Sequence, residues 1–326
     1  MTQATIDGIS VILPTYNGEE NIGNAVRSIL DQDTSVPIEL IIVDDGSSDK
    51  TIAIIESIQD DRIKLIFTTK NVGTAAARNI GIQYAYYNWL GFNDHDDVWL
   101  PDRITAQVAL LGQYPQLRGV AGGYARLAKD GASRWEANLL FKRWSPQHLL
   151  PIALPSFYDP AQHGTCHIQA LIVEKQLLLD IGGFRENLPI AYDPDIVLRL
   201  GEVASLGAIQ QPVFLYRLST HSITAPESLE AFAFLSGFSF CYSAQGARLR
   251  GETEPDVDTF IKDYVVKEED VESFTMNQTF RTINTQWVND GTISALYCAI
   301  RTMLMNPLLF IRYLAKRFSY WRKPSI

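Results

Sequence analysis

The chain has 326 residues, enough for one large domain with an appendage or for two domains. Its 46% hydrophobic and 20% charged side chains are ordinary for a globular protein. The net charge of −9 argues against general nucleic-acid binding, which needs a basic face. In chain order, Ser10-Val-Ile-Leu13 reads as a short apolar strand stopped by Pro14. Glu19 to Leu30 has helical spacing, with Ile22, Val26, Ile29 and Leu30 on one face. Glu39 to Val43 is a second buried strand, and it ends in Asp44-Asp45-Gly46-Ser47-Ser48-Asp49. That turn supplies capping residues for a helix over Thr51 to Ile58. Ile63 to Phe67 is a third strand. Asn71-Val72-Gly73 opens an Ala-rich helix to about Tyr86, and Trp89 to Phe92 is a fourth strand.

Strands alternating with helices predict an α/β fold: a mostly parallel, Rossmann-like sheet flanked by helices. From Pro101 the pattern is mixed, with an apolar run at Ala170 to Val173 and a turn at Gly182-Gly183. After Pro226 strand signals fade, and 228–248, 257–266 and 292–321 read as helices. The expected division is residues 1–225, split into halves 1–97 and 98–225, followed by a helical appendage over 226–326. Cys166, Cys241 and Cys298 are scattered without metal or disulfide spacing, which suits a reducing cytosol. The N-terminus lacks signal-peptide features, and no apolar run reaches the roughly 18 residues of a membrane span.

The run from Trp89 ends in three aspartates, Asp94, Asp96 and Asp97. Carboxylates this close repel one another unless a cation neutralises them. Hard oxygen ligands on a tight turn suit Mg²⁺ or Mn²⁺, ions that usually carry a substrate phosphate as well. Ligands of such sheets bind at the carboxyl ends of the strands, where the polar clusters 14–17, 44–49 and 94–97 all fall.

Taken together, Ser10-Val-Ile-Leu-Pro-Thr-Tyr-Asn17, Ile42-Val-Asp-Asp-Gly-Ser-Ser-Asp49, Asn71-Val-Gly-Thr-Ala-Ala-Ala-Arg-Asn79 and Asp94-His-Asp-Asp97 resemble the serial motifs of family 2 glycosyltransferases. Gly182-Gly-Phe-Arg-Glu186 and Tyr192-Asp-Pro-Asp-Ile-Val-Leu-Arg199 resemble the downstream motifs, so the likeness spans roughly residues 8–224. It implies a GT-A fold and an inverting transfer from a nucleotide-diphosphate sugar, UDP- or dTDP-linked, to a glycan or lipid-linked acceptor. By the same resemblance the setting is cell-surface glycan assembly.

The first strand exit is Pro14-Thr15-Tyr16-Asn17, and the resemblance assigns Thr15 and Tyr16 to the nucleobase pocket. Tyr16 offers an aromatic face and Thr15 a small polar group. Asp44 would accept from a base N–H, a charge-assisted contact, while Asp45, Ser47 and Ser48 suit turn and cap geometry. Gly73 permits close backbone approach, and the helix end behind it favours an anion. Arg78 and Lys70 would neutralise diphosphate. An ordinary packing helix, with Arg78 paired to a sheet-edge carboxylate, is the equal alternative. Asp94-His95-Asp96 matches the family's DxD motif, implying Asp96 for the metal and Asp94 for ribose or metal. Asp97 then supports the turn.

Asp193 aligns with the aspartate of the family's ED motif, the general base, although Tyr192 stands where Glu is usual and Pro194 where Trp is frequent. An inverting transfer needs one base for the acceptor hydroxyl proton. Asp195 is the fallback, or else it orients Arg199. His221 is a further candidate for metal or phosphate, with an ordinary loop histidine as the alternative. His163 and His167 are candidates for the acceptor pocket. Ile293 to Trp321 carries aromatics and only basic charges, so 292–321 either lies on an anionic membrane surface or packs on protein. The expected location is therefore cytoplasmic, including peripheral contact with the membrane's cytoplasmic face. Two rivals stay open. A nucleotidyltransferase would carry a glycine-rich basic loop that Pro14 to Asn17 lacks. The altered ED motif keeps a non-catalytic nucleotide-sugar binder in play.

Overall fold

The structure is a computed structural model that describes residues 6–127, 133–134, 166–188, 190–217 and 231–266. The chain divides into two compact units. One comprises residues 1–125 and 136–216, and the other residues 126–135 and 217–326.

The first unit opens with β1 (Ile9–Thr15), α1 (Ile22–Leu30), β2 (Ile38–Asp44), α2 (Thr51–Ile58), β3 (Ile63–Phe67), α3 (Thr74–Tyr84) and β4 (Trp89–Phe92). It continues with β5 (Val98–Trp99), α4 (Arg103–Gln113), β6 (Gly119–Leu127), β8 (Leu171–Glu174), α5 (Lys175–Asp180), α6 (Tyr192–Val203) and β9 (Leu206–Arg217). A 3-10 turn, Ile168–Ala170, leads into β8. The second unit contains the last two residues of β6, Arg126 and Leu127, and β7 (Ser133–Arg134), which pairs with them. It also holds α7 (Ala231–Leu249) and α8 (Val257–Asp263), close to the first two of the three expected C-terminal helices. The third, 292–321, lies outside the described residues.

Among the described residues the strand order is β3-β2-β1-β4-β8-β6-β9-β5, with β7 paired to β6. The pairs β1–β2, β1–β4 and β2–β3 are parallel, with Thr15 opposite Asp44 and Asp44 opposite Phe67. The pairs β4–β8, β6–β8 and β5–β9 are antiparallel. The sheet is therefore the expected α/β sheet with a parallel portion, extended by antiparallel strands. In the parallel portion every carboxyl end reaches the same edge, so the loops after β1, β2, β3 and β4 must converge there.

Of the parallel strands, β1, β2 and β4 are buried on both faces, which explains their near-continuous apolar sequences, while β3 at the sheet's edge is only partly buried. Residues alternate across the sheet. Ile9, Val11 and Leu13 join one core cluster with Ile22, Val26 and Ile29 of α1. The opposite face carries Ile12 and meets α3. A Cβ on Gly81 would lie 2.5 Å from Ile12 Cγ2, so glycine at that position sets how closely α3 approaches β1. That approach matters for the site, because Arg78 lies one helical turn earlier on α3.

Candidate active site

The loops at the carboxyl edge are tied to one another by hydrogen bonds. Ser47 Oγ accepts from Asn17 N–H at 2.9 Å, and Asn17 Oδ1 accepts from Ser48 N–H at 2.8 Å. Asp49 accepts from Glu19 N–H at 3.0 Å and from Thr51 N–H at 2.9 Å. Glu19 Oε2 in turn accepts from Lys50 N–H at 2.9 Å. The β1 and β2 exits are thus one scaffold, with Asn17 in the left-handed region at φ 49°. A Cβ on Gly18 would stand 2.9 Å from both His95 Cδ2 and Thr15 Oγ1, so glycine here lets the β4 loop press against the β1 exit.

Asp45 is a builder of the third loop. Its Oδ1 accepts from Val72 N–H and Thr68 Oγ1 at 2.8 and 2.9 Å, and its Oδ2 accepts from Gly73 N–H at 2.8 Å. It is 4% exposed. Asp45→Ala would strand two loop N–H groups. The expected loss is about 3 kcal/mol of stability, read as a lower urea midpoint with an unchanged m-value. Asp45→Asn loses less, since its amide oxygen still accepts.

Asp44 differs. One oxygen accepts from Ser47 N–H at 3.1 Å, while Oδ1 is buried with no hydrogen-bond partner. Thr15 Oγ1, on the paired residue of β1, is also buried without one. A buried carboxylate oxygen and a neighbouring buried hydroxyl without partners are costly, and a ligand that donates to Asp44 and donates to or accepts from Thr15 would relieve both. Pro14 leads into this position, and Tyr16 beside it is half-exposed at 47%. Gly73 caps α3 at φ 88°. Its N–H is committed to Asp45, and a Cβ there would meet nothing within 4 Å, so the space over it is open.

At the β4 exit Asp94, His95 and Asp96 are half-buried and Asp97 is buried. The turn is closed by Asp97 N–H donating to Asp94 O at 3.2 Å and by Asn93 Nδ2 donating to Asp97 O at 3.1 Å. Arg78, 1% exposed, links this turn to α6. Its Nη2 donates to Asp94 Oδ1 at 2.7 Å and its Nη1 to Asp193 Oδ1 at 2.5 Å. The rings of Phe184 and Tyr192 lie 5.4 and 5.6 Å from its Cζ. Arg78 Nε has no hydrogen-bond partner. Desolvation works against the guanidinium's charge, but Asp193 and then Asp94 outweigh it, so its pKa is raised and it stays protonated. The alternative reading of Arg78, paired to carboxylates at the sheet's edge, is thus the arrangement present in this structure.

Burial pushes the Asp193 carboxyl up to about 6. Arg78 opposes this shift and Asp94 adds to it. Asp193 lies in the first turn of α6, entered through Ala191 at φ 73°, and its side chain is 22% exposed. Tyr192, where a carboxylate is usual, packs its ring on Arg78. Burial pushes its hydroxyl up to about 12. The guanidinium already has two carboxylates, so an aromatic face offsets its desolvation without adding a third negative charge.

Asp195 is 1% exposed and pairs with Arg199 at 2.7 Å and with Arg185 at 3.2 Å. Arg199 also donates to the carbonyls of Ile181 and Gly183 at 2.8 and 2.7 Å, and Asn79 is hydrogen-bonded to Phe184. The segment 181–186 is therefore clamped between α3 and α6, and Asp195 belongs to that clamp. Lys70 is exposed, and the structure gives it no contact with the carboxylates of the site. His167 packs against Tyr124 and Tyr216 at 4.8 and 5.4 Å. His163 and His221 lie outside the described residues.

Sequence reasoning missed Gln169. It is 3% exposed and its Nε2 donates to Asp94 Oδ2, while its Oε1 is buried with no partner. The available signal was one polar residue inside the apolar run Ile168-Gln-Ala-Leu-Ile-Val173.

The sequence model described as Glycosyl transferase family 2 matches residues 10–168. An uncharacterised glycosyltransferase of Rickettsia typhi is 30% identical over 237 residues, covering 71% of this chain and 71% of that protein. The Escherichia coli protein named UDP-Glc:alpha-D-GlcNAc-diphosphoundecaprenol beta-1,3-glucosyltransferase is 36% identical over 103 residues, 32% of this chain and 40% of its own length. The first relatives matched are covered over only 42%, 32% and 32% of their lengths. Residues 1–349 of Staphylococcus aureus TarS, solved in complex with UDP, share the fold with a TM-score of 0.57 at 17% identity. The match covers 95% of this chain and 92% of that one.

Proposed function

The chain belongs to the family 2 glycosyltransferases, and from that membership we propose that it moves a sugar from a nucleotide diphosphate to an acceptor hydroxyl with inversion. Its fold is of the GT-A type. The observation that carries the catalytic reading is Arg78. One guanidinium holds both the first aspartate of the DxD turn and Asp193, which comes from 115 residues further along the chain. A base candidate is thereby fixed beside the strand ends where the diphosphate is expected.

In this reading Asp44 Oδ1 and Thr15 Oγ1 take hydrogen bonds from the nucleobase or ribose, and Tyr16 stacks on the base. UDP is the favoured nucleotide, because a uracil N–H suits a carboxylate and a protein of the same fold is solved with UDP. The UDP-Glc donor and lipid-diphosphate acceptor in the Escherichia coli relative's name support a nucleotide-sugar donor and a glycan or lipid-linked acceptor. We place this activity in cell-surface glycan assembly, at the cytoplasmic side of a membrane. Among the described residues no helix is long and apolar enough to cross a membrane.

Asp193 removes the acceptor proton as the oxygen attacks the anomeric carbon. Arg78 holds one oxygen of that carboxylate, so the other is left to face the acceptor. Arg78 thus acts as a positioning residue rather than a diphosphate ligand.

Mg²⁺ or Mn²⁺ fits the hard carboxylate oxygens of the β4 turn. Among the described residues no three His, Cys, Asp or Glu side chains form a metal cage. Both Asp94 oxygens accept from protein groups. Asp96 is therefore the favoured protein ligand, with the rest of the shell from diphosphate and water, as is usual for Mg²⁺ sites. The ion would supply charge neutralisation on the leaving diphosphate. The domain reading, a catalytic region to about 225 and a helical appendage after it, accompanies this proposal.

The test is UDP release from UDP-glucose, UDP-galactose and UDP-N-acetylglucosamine with Mn²⁺. Native protein should turn over at least one donor. Asp96→Ala should lower kcat/KM at least about 100-fold, since it removes charge stabilisation from the leaving group. Donor turnover that ignores both EDTA and Asp96→Ala would remove the metal from the proposal. The absence of nucleotide-sugar turnover and of UDP binding would remove the activity itself.

A further inference from the structure

We infer that Gln169 is a specificity residue, its buried carbonyl oxygen accepting a hydrogen bond from a hydroxyl of the transferred sugar. The inference rests on the glycosyltransferase reading and deepens it. Gln169 sits in the turn that opens β8, just past the segment matched by the family's sequence model. β8 pairs antiparallel with β4, which brings that turn alongside the β4 exit.

The orientation of the amide is fixed by its partner. A carboxylate only accepts, so the group facing Asp94 must be the NH₂ and the other must be the oxygen. That oxygen is buried and has no donor in the structure. Leaving a buried amide oxygen unsatisfied is costly, and native proteins seldom do so without a reason. Asp94, by contrast, has a partner on each oxygen, with Arg78 on one and Gln169 on the other.

The site thus has a sequence of contacts: Gln169, Asp94, Arg78 and Asp193, each touching the next. Asp193 marks the side from which the acceptor attacks. The strand ends at Thr15 and Asp44 mark the nucleotide. The transferred sugar must lie between them, and Gln169 occupies the far end of the carboxylate–guanidinium chain from the base. Its oxygen is an acceptor and sugar hydroxyls are donors. A site built to hydrogen-bond one hydroxyl rejects analogues lacking it, because its own polar group is then left unpaired.

The experiment is a chemical double-mutant cycle on the full chain. Acceptor-independent UDP release is measured for the best of the three donors above and for its forms singly deoxygenated around the sugar ring. Native protein and Gln169→Met are compared, with UDP affinity from calorimetry as the control for folding. The expected result is one deoxy position at which native protein loses about 5- to 150-fold in kcat/KM and Gln169→Met loses less than about 2-fold. UDP affinity should be the same in both. Gln169→Asn keeps an amide but draws its oxygen back by one methylene, so it should lose the sensitivity to that position as Gln169→Met does, and it covers failure of the methionine variant to fold. Equal losses at every position in native protein and Gln169→Met overturn the inference while leaving the activity intact. If native protein neither turns over a donor nor binds UDP, the reading on which it rests is overturned instead.

Discussion

Asp193→Asn will lower kcat by about 10²- to 10⁴-fold while leaving UDP affinity within about 2-fold of native, because it removes the proton acceptor and keeps the side chain's shape. Pre-steady-state UDP release with a saturating acceptor checks it, and native-like kcat in this variant would exclude Asp193 as the base. The raised pKa adds a signature. A base must be deprotonated to act, so kcat/KM of native protein should rise with pH and level off above about 6. The sign for stability is the reverse. Between the ordinary carboxylate value and about 6 the folded state binds the Asp193 proton and the unfolded state does not, so stability falls as pH rises through that window. Asp193→Asn should flatten that fall, measured as urea midpoints between pH 4 and 7.

Arg78→Met will be the most destabilising single change at the site. The arginine is 1% exposed, whereas Asp94 and Asp193 are 28% and 22% exposed in their side chains. Removing the cation leaves two incompletely solvated carboxylates facing each other, and loss of one partner from such a network costs about 3–5 kcal/mol. The variant should also bring the rising limb of the pH–rate profile to higher pH, since the opposing effect of Arg78 on Asp193 is gone. Arg78→Lys restores charge but not the planar pair of donors that spans two carboxylates. It should recover more stability than rate. Equal recovery of both would show that charge alone, without placement of the base, accounts for Arg78. Urea denaturation with parallel kcat and KM measurements separates these outcomes.

Much of the first unit was legible in the sequence for a definite reason. β1 to β4 are short apolar runs bounded by turn residues, and α1 carries a 3.6-residue apolar pattern, signals that are local in the chain. From its neighbours Asp45 reads as a turn residue and Asp195 as a fallback base or the group that orients Arg199; in the structure Asp45 accepts from the N–H groups of Val72 and Gly73, and Asp195 is paired with Arg199. Elements beyond β4 were harder to read. Their antiparallel pairing to distant strands leaves short, irregular apolar runs, and β5 is only two residues long. The third C-terminal helix, His163 and His221 lie outside the described residues.

By itself the sequence determined which residues could do chemistry: a row of carboxylates, an aromatic and a guanidinium placed at the ends of apolar strands. Their order along the chain also carried the family resemblance. Only the tertiary structure decided which of them meet. Parallel pairing aligned Thr15 with Asp44 and left both with buried oxygens lacking partners. The close seating of α3 on β1 at Gly81 buried Arg78 between Asp94 and Asp193. Antiparallel pairing of β8 with β4 delivered Gln169 to the same carboxylate. Such contacts depend on backbone separations of a few ångströms between residues far apart in the chain, and a one-dimensional pattern does not encode those separations residue by residue.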